Sequence, residues 1–446
     1  VKAFSGPALL LNRSLILLIT FIIINALLVI DTSIVRISTF TGGMFPFESY
    51  MSLFLIIYAA YATGNIIVMR LVRGQLHSAS GNKPLLFNSF FAGITATQYA
   101  ILFMILVLIC QIFINKYYSV WILKSISFNS YLMGGIMLSL LSYKLLSWFK
   151  KNKSFILILF FLAMSLTCAN SILIMSSLGM QLASKPDNIS YTRSLAGGFA
   201  PGSGMYKLIQ DYILIISFSL MWLATALLMK NYSNIKGLIK YWGIMFISLI
   251  YFIGQFQPMF FGFISLSTIS TTLGDIGYTI FVSAAKPVAG VMFGLIFWII
   301  SRKIDKRTTK EYLLIAGFGI MMLFASNQST GLSLTPLPPF GIITAAFFGL
   351  STYLLFIGLY SSAVSVSHDS TLRKQAKIYA NQLILLDRIG TPEMKQHTES
   401  IVSRVMKDFK NQVTDLGESS GVLPSIDEQN FKDYLETVLK EVKKRK

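Results

Sequence analysis

Ten long apolar stretches divide the first 365 residues of this chain, and they leave it few ways to fold. They run from Leu15 to Ile30, Ser52 to Met69, Phe91 to Ile114, Tyr131 to Phe149, Phe155 to Met180, Leu208 to Met229, Tyr241 to Phe263, Ile276 to Ile300, Leu313 to Ala325 and Ile342 to Val364. A helix crosses a hydrocarbon core about 30 Å thick in roughly 20 residues, and it satisfies its backbone polar groups internally. The expected fold class is therefore all-α. Residues 1–365 read as a polytopic transmembrane helical bundle of about ten spans, and residues 366–446 as a small helical tail. The ninth stretch is the shortest, and its boundaries are the least sharply marked.

Charge placement orients the spans. Only 13% of the 446 residues are charged, against about a quarter in soluble domains, yet the formal net charge is +19. Before Ser365 the acids are Asp31, Glu48, Asp187, Asp211, Asp275, Asp305 and Glu311, so the excess basicity belongs to the apolar part. Lys and Arg concentrate in cytoplasmic loops. With the N-terminus inside, those loops receive Arg70, Arg73 and Lys83, then Lys150, Lys151 and Lys153, then Lys230, Lys236 and Lys240, and finally Arg302, Lys303, Lys306, Arg307 and Lys310. The alternation holds only for an even count. Both termini are thus expected on the cytoplasmic side of the cell membrane, with the lipid bilayer as the principal partner. Basic residues spread over loops form no stripe with interleaved aromatics, which excludes nucleic acid as a partner.

The tail carries amphipathic patterning. Apolar residues from Leu372 to Leu386 share one face up to Gly390, where a helix is expected to stop. Thr391 then suits an N-cap and Pro392 a first helical position, and Val402, Val405 and Phe409 recur on one face of a second helix. A third is opened by Ser425 and Glu428 and presents Phe431 and Leu435. Such stripes must be covered. Two readings follow: a bundle that completes the fold, or a module that docks a protein partner or a second copy.

Lys286 is the sharpest single residue. It lies about ten residues into the eighth stretch, near mid-membrane, where a lysine costs about 2.5–3.5 kcal/mol and marks either a functional site or an internal partner. Pro287 cannot donate a backbone hydrogen bond, which frees the carbonyl near Ser283. Gln255 and Gln257, on the preceding span, fall at comparable depth. Lys286, Ser283, Gln255 and Gln257 are therefore the candidate intramembrane binding group; the competing reading is a lysine that caps a carbonyl and glutamines that join helices. Gly290 and Gly294 have the small-xxx-small spacing of close helix packing.

No complete catalytic constellation emerges. Ser203 in a glycine-rich loop has no histidine in a span or outer loop to serve as its base, Gly274 and Asp275 have no second intramembrane aspartate, and no zinc motif is present. The residues around His368 lack the proline of a kinase phosphoacceptor box. Cys110 and Cys168 lie in apolar runs and read as small hydrophobes. The expectation is a non-enzyme without metal or cofactor.

Four segments in the last quarter carry a resemblance: Phe324-Ala325-Ser326-Asn327-Gln328, Pro338-Pro339-Phe340-Gly341, Tyr360-Ser361-Ser362-Ala363-Val364-Ser365 and Leu385-Leu386-Asp387-Arg388-Ile389-Gly390. This quarter resembles a group of uncharacterised multi-spanning membrane proteins of ammonia-oxidising archaea. The resemblance implies an archaeal cytoplasmic membrane and no particular activity. The sequence as a whole points to a sensor or scaffold signalling through its tail. The alternative is a secondary transporter with a midplane site at Lys286.

Overall fold

The computed structural model describes residues 22–35, 47–78, 85–183, 189–190, 204–230, 238–254, 272–327, 338–373 and 384–420. Among these the chain is an all-α membrane helical bundle. In chain order the helices are α1 (Ile22–Val35), α2 (Phe47–Ser78), α3 (Leu85–Asn115), α4 (Val120–Lys151), α5 (Phe155–Ala183), α6 (Gly204–Lys230), α7 (Leu238–Gly254), α8 (Thr272–Arg302), α9 (Arg307–Ser326), α10 (Ile342–His368) and α11 (Ile384–Ser420). Eight of them, α2 to α6 and α8 to α10, are long and apolar enough to cross a membrane. The first and seventh apolar stretches appear as the shorter apolar helices α1 and α7, both of which adjoin residues outside the described set. A two-residue antiparallel pairing, β1 (Tyr117–Tyr118) with β2 (Ile189–Ser190), ties the α3–α4 turn to the segment after α5.

Helix α10 is the hub. Its most apolar part is buried entirely, packed between α9 and α4 and touching α2, α3 and α11. From there the bundle closes as a ring, α10 to α4 to α5 to α6 to α8 to α9 and back to α10. Glycines allow the closest approaches. A Cβ on Gly319 would lie 2.3 Å from the Leu355 nitrogen, and one on Gly358 would lie 2.4 Å from the Ala316 nitrogen, so α9 and α10 meet backbone to backbone. Gly294 faces Gly317 in the same way, as its spacing with Gly290 suggests.

Buried polar side chains fix the register around α10. Asp31, fully buried in α1, accepts hydrogen bonds from Gly341 N (2.9 Å), Thr344 N (3.0 Å) and Thr344 Oγ1 (2.7 Å). It caps the N-terminus of a helix that begins 310 residues later, where free N–H groups and the helix dipole favour a carboxylate. Gly341 is the N-cap residue, and its φ of 87° is one that glycine adopts without strain. Further along, Gln98 of α3 accepts from Tyr61 and Asn65 of α2 and donates to the Ala346 carbonyl. Ser130 of α4 donates to the Ala345 carbonyl and accepts from Gly349 N.

The tail departs from its expected punctuation. Instead of a stop at Gly390 and a new start at Thr391, α11 runs unbroken through Gly390 and Pro392. Gly390 is there for proximity: a Cβ would lie 2.3 Å from a Val366 methyl of α10. Leu385, Leu386 and Ile389 are buried beside it. The expected third tail helix lies outside the described residues.

Candidate functional site

Helix α9 is shorter than its neighbour, and that difference creates the site. Thr309 meets Ser365 (2.7 Å) and Ser326 meets Ser351 (3.4 Å), so antiparallel α9 ends level with Ser351, while α10 continues nine residues, about 13 Å, to Ile342. The last residue of α9, Ser326, and its C-cap Asn327 therefore lie buried inside the bundle, where their carbonyls need partners.

Lys286 occupies that position. Its Nζ donates to the Asn327 carbonyl at 3.1 Å, with only 5% of the residue exposed. A cation at a helix C-terminus is favoured by the dipole and by the orphan carbonyls. Helix α8 carries Lys286 there without a break at Pro287. Asn170 of α5 reaches the same point, its Nδ2 donating to Asn327 Oδ1 at 3.4 Å. One turn along α5, Thr167 meets Ser217 of α6 at 2.7 Å, and Ser217 also donates to the Ala163 carbonyl. Counted from the helix ends at Arg302, Phe155 and Lys230, the residues Lys286, Asn170 and Ser217 sit about 24, 22 and 20 Å deep. They form one polar layer.

Two atoms in this layer have no hydrogen-bond partner: Asn170 Oδ1 and Ser283 Oγ, both from residues 3% exposed or less. Ser283 precedes Lys286 by three positions and so shares its helix face. Leaving such groups bare costs about 1–3 kcal/mol each, so a ligand that supplied the missing bonds would be rewarded. Beside the layer, Phe218, Phe252, Phe293 and Phe324 pack together, with Phe218 and Phe252 stacked at 3.4 Å and Phe293 and Phe324 edge to face at 4.8 Å. A small polar solute with hydrogen-bond donors and an acceptor for an ammonium would suit the layer.

At that docking end, Glu393 of α11 is buried and accepts from Trp148 Nε1 of α4 at 2.8 Å, with Lys144 Nζ at 3.7 Å and the Tyr360 hydroxyl also bonded to it. Lys151 with Glu399 and Gln396 with Ser147 extend the seam. Lys306, between α8 and α9, holds Asp369 at 2.7 Å, while Asp369 also caps the following turn through Thr371 N and Leu372 N. The Lys306 ammonium, followed by the Thr371 hydroxyl, holds the Asp369 carboxyl well below the usual carboxylate range. A depressed carboxylate stabilises the fold above its unfolded pKa of about 3.9 and loses that contribution as pH falls through the folded value. We expect wild type to exceed Asp369→Asn by about 1 kcal/mol above pH 5, with the gap closing below about pH 3. Unfolding temperatures of both proteins across pH provide the check.

No protein-family model, curated protein or solved structure matches the chain.

Of the residues singled out from sequence, Lys286 and Ser283 fall within the layer, and Gln255 and Gln257 lie outside the described residues. In the tail, Val402 is half-buried; Val405 and Phe409 belong to α11 but their side chains lie outside the description, as do Phe431 and Leu435 altogether. Among the described side chains of α11, those from Leu385 to Glu399 make its contacts with α4 and α10. Asn170, Asn327, Asp31 and Glu393 were not read as site residues. An amide inside an apolar run, as Asn170 is, was the one available signal.

Proposed function

We propose that the chain is a sensor of the non-enzymatic kind, in which the polar layer around Lys286 receives a small polar solute and the tail passes the event to a partner. The carrying observation is that α11 is seated on α4 and α10 through Gly390, Glu393 and Trp148. Helix α10 runs without interruption from the Asp31 cap to the tail, so a shift of α9 against α10 at the layer is delivered to α11. In this reading the protein crosses the cell membrane ten times, with both termini cytoplasmic and the tail facing inward, in the archaeal setting its resemblance implies. Deleting residues 369–446 should abolish the cytoplasmic proteins captured by crosslinking in native membranes. An unchanged set of captured proteins would defeat the sensor reading.

One observation favours a second reading, secondary transport: a helix end held by a lysine deep inside the bundle beside an aromatic cluster is the kind of broken-helix site that transporters use. Here Lys286→Ala should eliminate solute uptake by proteoliposomes while leaving the fold intact; full retained uptake would exclude it.

A further inference from the structure

The α8–α9 crossing carries an apolar groove of about 190 Å³. Its cause is local. Gly294 and Gly317 press the two backbones together, and with no side chains of their own they leave a bare trough between Leu295 and Trp298 on one helix and Leu314 and Met321 on the other. Empty apolar space forfeits dispersion contacts, so in a bilayer a hydrocarbon chain fills such a trough.

The trough has a charged end. Trp298, a wall of the groove, is covered by the Arg302 guanidinium, 3.6 Å from its ring. Arg302 and Lys303 are both exposed at the end of α8. Two of the other basic residues nearby are already engaged, Lys306 with Asp369 and Arg307 with Glu311. From Gly294 to Arg302 is eight residues, about 12 Å, a span that lets a chain lie in the groove while its headgroup meets the guanidinium. Tryptophan and arginine at this level match the interfacial belt of a membrane protein.

We propose that this groove binds a phospholipid with an anionic headgroup, its acyl chain lying over the Gly294–Gly317 contact between Trp298 and Leu314 and its headgroup on the Arg302 guanidinium. The site is independent of the polar layer and of the sensor reading.

The protein reconstituted in phosphatidylcholine vesicles can be titrated with phosphatidylglycerol or phosphatidylcholine whose chains are brominated, which quench a neighbouring indole. The Trp298 signal is the difference between wild type and Trp298→Phe. Brominated phosphatidylglycerol should quench it at about fivefold lower content than brominated phosphatidylcholine, the factor one interfacial basic residue supplies. Arg302→Gln should bring the two lipids to equal effect, and Leu314→Phe, which fills the trough, should weaken both. Equal quenching in wild type, or selectivity surviving in Arg302→Gln, would overturn the proposal. A disulfide joining two copies through Leu295→Cys would do the same, since it would show the groove covered by protein.

Discussion

Replacing Asp31 with alanine is expected to lower the unfolding free energy by about 3 kcal/mol or more, measured by thermal or denaturant unfolding in detergent. The carboxylate serves three donors at the start of α10, two of them backbone N–H groups that have no intrahelical partner. Alanine leaves all three buried and bare, and each unsatisfied group costs about 1–3 kcal/mol. Asp31→Asn keeps acceptor oxygen and volume but loses the charge, so it should cost roughly half as much. Helix α1 is short and touches the hub through this cap, so the alanine protein should also show faster hydrogen exchange in α1 and at residues 341–345. If both substitutions were neutral, the capping account of the α10 terminus would be wrong.

The sequence revealed the helices and hid the partners. Long apolar runs map onto α1 to α10 because each span must satisfy its own backbone, which makes element positions a local property of composition. Lys286 stood out for the same reason, as a charge within an apolar run. Its acceptor did not, because Asn327 lies 41 residues away and is reached only when α9 ends short of α10. The Asp31 cap spans 310 residues, and nothing near either end announces the other. Gly390 shows the opposite difficulty. Glycine terminates helices and also permits close approach, and the sequence pattern of the tail fits both; the Val366 methyl decides for the second. Leu386 lies on the apolar face legible in the sequence, but only the fold shows it buried with Leu385 and Ile389 where α11 meets α4 and α10.

Lys286 connects these parts. Its ammonium holds the buried end of α9. Helix α9 is locked to α10 at Gly319 and Gly358, and Lys306, at the start of α9, holds Asp369 at the end of α10 beside the docked tail. Lys286→Met, which keeps an unbranched chain and removes the charge, strips the α9 terminus of its cation and leaves the Asn327 carbonyl in an apolar surrounding. Freed at that end, α9 should slide or tilt against α10, and α11 should loosen. Couplings of this kind amount to about 1–3 kcal/mol.

Hydrogen exchange of wild type and Lys286→Met in lipid nanodiscs reads this directly. The account predicts that amides of residues 384–404 exchange about tenfold faster in the variant, equivalent to about 1.4 kcal/mol, while those of α2 and α3 are unchanged. Unaltered protection in α11 alongside loosening confined to the end of α9 would contradict it, leaving Lys286 a local cap with no line to the tail.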